Sequence, residues 1–449
     1  MRFGCAILAS VLAFAAQVCA RSSAGDSVLV ILQPSLKKED YSVYFKNLEK
    51  EGYQLTFREP AAPEPKVLVD DEPTFNHIIF FAPDTKTFAS DITPQSLVDL
   101  LAKKVNIIVA LSPKQTPLYT LASEFGLILP PPNTPLLSHF PKRDEPATII
   151  PIPTTPSPLL SKPKLRPIWF KGVPHALGNN PLLFPVLRAP AESFATDTDT
   201  DSSNDVVFES TQKGGEGLWA GSSLGVVTGF QTRVNSRIMW VGGVELFSNE
   251  FINKPTPNGD KSGNEIFAKD ITAWTFKETL VLRLDATMHH HQNATDLFVE
   301  PEHYTTNDIV TFEALIFEYD PSRGKWKPKN DIDDLQLEFT MLDPHIRTQL
   351  LPHPEQQAKY EVTFRVPDRH GVFKFVIDYK RPGYTYLESS TTVPVVPPRH
   401  DGYPRFLSAA WPYYAGAIST SAGFIIFAAL WLAGDDRAMR KGGKAGKTE

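Results

Sequence analysis

The chain has 449 residues with 42% hydrophobic and 21% charged side chains, enough apolar material for packed domains of ordinary size. A formal net charge of −6 gives no electrostatic footprint for nucleic acid. The two cysteines, Cys5 and Cys19, both precede Ala20, so a chain cleaved there has no disulfide, thiolate nucleophile or cysteine metal ligand.

The first twenty residues read as a secretory signal peptide: Arg2, an apolar run over 7–16, then the small residues Val18-Cys19-Ala20. Next comes an α/β pattern. The apolar run 27–33 (SVLVILQ) predicts a strand buried on both faces of a parallel sheet. A helix follows over 41–51, with Tyr44, Phe45 and Leu48 on one face and Gly52 as its terminal cap. Segments 53–58, 77–82 and 105–112 predict further strands. Between the last two, Thr93-Pro94 opens a helix with Leu97, Leu100 and Leu101 inward. This cadence predicts a luminal α/β domain over 27–260 with a parallel sheet.

Residues 130–174 are crowded with proline and predict an extended connection over the surface. Strand patterns resume at 168–170, 185–187, 226–230 and 237–241, and 197–205 (DTDTDSSND) reads as a solvated acidic loop. A second unit, 261–397, begins with a linking helix that puts Ile266, Phe267, Ile271 and Trp274 on one side. Strand patterns at 281–284, 309–319, 335–341, 360–366, 372–379 and 384–396 then succeed one another without helices, predicting a β-sandwich.

From 406 to 434 no side chain is charged, long enough to cross a bilayer once. Trp411, Tyr413 and Tyr414 mark one interface and Trp431 the other. Ala415, Ser419 and Gly423 recur every four residues, a small-residue stripe that suits helix packing within a membrane. The tail 435–449 carries Arg437, Arg440, Lys441, Lys444 and Lys447, which orients it to the cytosol.

Candidate chemistry is thin. Gly221-Ser222-Ser223-Leu224-Gly225 matches a nucleophile elbow, with Ser223 as nucleophile, but a β-branched run follows where a helix is needed. Gly214-Gly215-Glu216-Gly217 lacks the helix of a phosphate cradle. His289 and His291, with Asp285, could share a metal on one side of an extended chain, but spacing places no further ligand and a solvated loop is the better reading. Asn293-Ala294-Thr295 is an N-glycosylation sequon.

Longer blocks carry a resemblance. LQLEFTMLDP at 335–344 with Arg347-Thr348, YEVTFRVPD at 360–368 and GVFKF at 371–375 resemble the DDOST/Wbp-type single-span subunit of the eukaryotic oligosaccharyltransferase complex. So do Arg381, Gly383-Tyr384-Thr385, Arg405-Phe406 and Pro412-Tyr413-Tyr414-Ala415 near the membrane. Upstream, Gly229-Phe230-Gln231-Thr232-Arg233, Asn235-Ser236-Arg237 and Phe247-Ser248 fit the same family. The resemblance implies a non-catalytic type I subunit in the endoplasmic reticulum membrane, supporting oligosaccharide transfer from dolichyl diphosphate to sequon asparagines. It implies partners: a catalytic multi-span subunit, a ribophorin II-like subunit and a small DAD-like subunit. It also implies an amidotransferase-like α/β domain, whose usual cysteine nucleophile a cleaved chain lacks. No cofactor or metal is expected. The competing readings are a membrane-tethered serine hydrolase using Ser223 and a free-standing carbohydrate-binding receptor.

Overall fold

The computed structural model describes residues 21–140, 147–195, 219–257, 259–294, 299–399, 401 and 407–442. The signal segment 1–20, the acidic loop 197–205, the turn 214–217 and the end of the tail lie outside the described residues.

The first strand explains the first domain. In β1 (Ser27–Leu32), Val28 and Val30 face one apolar cluster, while Leu29 and Ile31 face another. A strand apolar on both sides needs cover on both, which only a three-layer arrangement supplies. The remaining strands are β2 (Gln54–Arg58), β3 (His77–Phe81), β4 (Asn106–Ala110), β5 (Leu183–Arg188), β6 (Gly225–Gln231) and β7 (Arg237–Val241). Their order is β5-β6-β7-β4-β3-β1-β2. The five strands from β7 to β2 run parallel, and β6 and β5 add an antiparallel edge. Helix α1 (Ser42–Lys50) covers one face with Tyr44, Phe45 and Leu48. Helices α2 (Pro94–Ala102) and α3 (Pro117–Glu124) cover the other. Both start from a threonine whose side chain accepts a backbone N–H, followed by proline at the first helical position. Thr116-Pro117 is the same signal as Thr93-Pro94, yet the α3 helix was not among the expected elements.

Three expectations need correction. The stretch 130–174 is not a surface connection: Leu136, Ile150, Ile152, Leu159, Leu165, Ile168 and Phe170 all enter the core with α1. Proline is compatible with this because the strands are short and paired on few sides. In Ile150–Ile152, Pro151 points outward opposite Trp169 while both isoleucines point in. Second, α4 (Asn264–Thr275) is no linker. Phe267, Ile271 and Trp274 are fully buried in the α/β core, while Ile266, one residue off that stripe, is 38% exposed. Third, the histidine run is not a solvated loop. It ends the strand Leu282–His291, with His289 and His290 buried.

That strand belongs to a sandwich of two five-stranded sheets. Leu282–His291 pairs with Ile309–Asp320, which pairs in turn with Lys359–Arg365; the facing sheet is built on Gly371–Tyr379 and Leu387–Val396. Phe312, Phe339, Phe373 and Phe375 fill the space between them. Helix α5 (Leu407–Gly442) leaves the sandwich, and its segment Ser408–Ala433 is long and apolar enough to cross a membrane.

One buried histidine has a pH consequence. His77 lies in β3 with one ring nitrogen 2.8 Å from the Gly25 carbonyl and the other 3.2 Å from the Asn106 amide. Burial pulls its pKa down to about 3. The unfolded chain takes up this proton near pH 6.5, so stability is complete above that pH. It falls on acidification toward pH 3 by about 1.4 kcal/mol per pH unit. Thermal unfolding of His77→Gln across pH 4–7 should show a shallower slope than the parent chain.

Candidate assembly sites

The membrane helix presents its stripe to open space. Nothing approaches within 4 Å of a side chain built at Gly416 or Gly423, and the Ser419 hydroxyl turns back 3.0 Å to the Gly416 carbonyl. Satisfying that hydroxyl within its own helix leaves a face with no unmet polar group, suited to close backbone approach. Trp411, Tyr413, Tyr414 and Trp431 are all exposed, as rings resting at a bilayer interface would be. Asn293 is exposed in the turn after the histidine strand; its sequon partner Thr295 lies outside the described residues.

The catalytic alternatives lose their geometry. Ser223 is followed by β6, not by a helix, and its hydroxyl donates to the Ala220 carbonyl at 3.2 Å. The three histidines divide between the faces of their strand. His289 stacks on Phe375 at 4.9 Å and its Nδ1 meets the Tyr304 hydroxyl at 3.0 Å. His291 packs edge-on against Tyr304. His290 turns to the other face, 3.1 Å from Glu313, whose carboxylate also receives Lys359 at 2.8 Å. Asp285 pairs with Arg283 at 3.1 Å instead of joining the histidines. Among the described residues no group of three or more His, Cys, Asp or Glu side chains could hold a metal.

At the carboxyl ends of the parallel strands, where sheets of this kind hold ligands, lies a crevice of about 520 Å³. Asp84 stands in it, held by Ser112 at 2.6 Å and Lys114 at 2.9 Å. Burial alone pushes its carboxyl upward, but these hydrogen bonds outweigh it and leave the group below its usual range.

The seam between the two domains is polar, and the arginine at its centre is closed off from solvent. Arg237, at the start of β7, is fully buried. Its guanidinium donates to Gln231 Oε1 (3.1 Å) and to the carbonyls of Trp274 (2.6 Å), Thr279 (3.0 Å), Leu280 (2.9 Å) and Gly383 (3.2 Å). All five donors are thus used, with neutral acceptors only. Burial lowers its pKa to about 9, which keeps it protonated at neutral pH. Its charge lies 4.7 Å over the Trp274 ring, and Trp274 Nε1 donates to the same Gly383 carbonyl at 2.7 Å. Gln231 and Asn235 add bonds to the Tyr384 and Tyr386 carbonyls. Sequence patterns did not single out this seam, because its partners are up to 153 residues apart. The signal available was an arginine opening a fully apolar strand.

Residues 19–278 match the family model for the OST48 N-terminal domain, and residues 289–435 match that for the OST48 middle domain. A Danio rerio protein, the 48 kDa subunit of dolichyl-diphosphooligosaccharide–protein glycosyltransferase, is 30% identical over 431 residues, covering 91% of each chain. The Caenorhabditis elegans 48 kDa subunit is 30% identical over 427 residues, 91% of this chain and 92% of its own. The Arabidopsis thaliana counterpart is 29% identical over 423 residues, 90% and 92% respectively.

Proposed function

This chain belongs to the OST48 family, and from that premise we propose that it is a subunit of the dolichyl-diphosphooligosaccharide–protein glycosyltransferase, an oligosaccharyltransferase. The observation that carries the reading is extent. The 48 kDa relatives align with this chain over nine-tenths of both lengths, and the middle-domain family model runs on to residue 435. Its contribution is to assembly, with transfer chemistry supplied by another subunit. In support, Ser223 leads into a strand and the histidines are spent on packing and ion pairs. Depleting the chain from microsomes should lower transfer of oligosaccharide to a sequon peptide. Unchanged transfer, with the complex intact on a native gel, would remove it from the machinery.

The chain is a single-pass protein of the endoplasmic reticulum membrane, with its folded domains in the lumen and its basic tail in the cytosol. The exposed Asn293 then stands on the glycosylated side. Endoglycosidase should increase the mobility of the parent chain and leave Asn293→Gln unchanged; identical behaviour of the two would take Asn293 off the list of acceptors.

Within the membrane, the Ala415–Ser419–Gly423 face packs against partner helices: the multi-span catalytic subunit, a ribophorin II-like subunit and a small DAD-like subunit. Gly423→Leu fills that groove. Recovery of partners in mild detergent should fall roughly tenfold, equivalent to about 1.4 kcal/mol, with insertion into the bilayer unaffected. Equal recovery would discard the stripe as an assembly face.

A further inference from the structure

Where the two domains meet, beside the amino ends of β3 and β4, opens a cleft of about 420 Å³. Its described lining includes Lys103, Lys104, Lys277 and Arg283 and no aspartate or glutamate, in a chain whose net charge is −6. Two of these cations have partners. Lys103 pairs with Asp71, and Arg283 pairs with Asp285 while lying 4.3 Å over the Trp326 ring. Lys104 and Lys277 make no side-chain hydrogen bond or ion pair among the described residues.

Lys277 is the telling residue, because its position is unfavourable three times over. It is only 8% exposed, so its ammonium has little water. Burial above all, and then the cations Arg237 and Lys104, lower its pKa to about 7. The neighbouring Glu278 is turned away, engaged by Tyr53 at 2.7 Å and Arg21 at 2.9 Å. Its backbone is also left-handed, φ 59°, where glycine or asparagine is cheaper. Lys104 repeats the pattern at φ 67°. Each lysine follows the end of a helix, α4 and α2 respectively, and each terminus closes with the same pair of bonds. Lys104 N–H donates to Leu101 and Val105 N–H to Leu100; Lys277 N–H donates to Trp274 and Glu278 N–H to Ala273. Attraction to helix carbonyls accounts for a lysine at such an end. It does not account for burying one beside two other cations.

We propose that this cleft is a binding site for a doubly charged phosphate, as in a phosphomonoester or pyrophosphate. Of the neutral donors at the rim, Ser23, Asn235 and Thr385 are committed to the carbonyls of Lys277, Tyr386 and Leu282, while the Asn76 side-chain amide nitrogen has no acceptor among the described residues and can add one hydrogen bond. The charge is met by Lys104 and by Lys277, which an incoming dianion holds in its protonated form; two such points match a dianion better than a single carboxylate. Phe75 and Trp326 give the organic remainder an apolar wall. This site is independent of the assembly role proposed above.

The same phosphate occurs on soluble molecules and on phosphatidic acid, and the test separates them. The full chain in phosphatidylcholine nanodiscs is melted with increasing pyrophosphate or phenyl phosphate, and again in nanodiscs containing phosphatidic acid. Ligand should raise the melting temperature in a saturable way in at least one arm, and that arm identifies the source. Lys277→Asn, which suits the left-handed backbone, should weaken the apparent affinity at least tenfold. Lys104→Asn should do the same, and Lys46→Asn, an exposed lysine elsewhere, should not. No shift in either arm, or equal shifts in the parent and Lys277→Asn, overturns the proposal.

Discussion

Arg237→Met should separate the chain into two independently melting halves. Calorimetry of the parent chain is expected to give one dominant transition for the coupled domains; the variant should give two. The reason lies in what remains after substitution. Methionine fills the space but leaves the Thr279 carbonyl and Gln231 Oε1 without a donor, and takes one of two donors from the carbonyls of Trp274, Leu280 and Gly383. Each orphaned acceptor costs about 1–3 kcal/mol and the three shared carbonyls lose less, partly offset because a desolvated charge is also removed, so a net loss of about 2–4 kcal/mol is expected. Arg237→Lys should recover little: one ammonium cannot span acceptors arranged for a planar fork. Full recovery by lysine would mean that charge, not hydrogen-bond geometry, holds the seam.

The second large effect is expected at Gly242. Segment 171–173 crosses segment 242–243 backbone against backbone, joined by Val173 N–H to the Gly242 carbonyl at 2.7 Å. A methyl group at Gly242 would collide with the Val173 carbonyl, one at Gly243 with that of Lys171, and one at Gly172 with that of Gly242. The obstacle in every case is main chain, which cannot rotate aside. Gly242→Ala should cost at least about 4 kcal/mol and deplete folded protein, read as loss of the cooperative far-ultraviolet melt. Gly52→Ala, where φ is 104° but nothing lies within 4 Å, should cost only about 1–2 kcal/mol of backbone strain. The comparison separates collision from conformation.

The parallel sheet was legible because its strands are apolar on both faces and its helices keep a clean stripe, so local pattern and tertiary burial agree. Failures came where one residue type permits two environments. Proline was treated as excluding packing, yet Pro151 faces outward while its isoleucine neighbours bury. Histidine reads as polar, but His289 is accepted into the sandwich because Tyr304 takes its ring nitrogen and Phe375 its face. Ile266 was misassigned by a single position, about 100° of rotation around α4. The small-residue stripe and the rings of α5 rest on spacing and residue type alone, and their packing and interface roles stand as proposals. The seam and the lysine cleft were not legible, because each joins residues that only the tertiary fold brings together.

The seam has a consequence for how freely this protein can vary. Arg237 and Trp274 read the second domain through main-chain oxygens, above all that of Gly383. Main-chain oxygens are present whatever side chains surround them, so the joint imposes a shape on the 380–386 turn but very little spelling. The sandwich can therefore be recoated to suit different neighbours while keeping its angle to the α/β domain. Gly383 is the exception: its φ is 87°, and an added methyl would press on Leu159 and Leu280. A hinge built this way holds its orientation while its surfaces remain open to change.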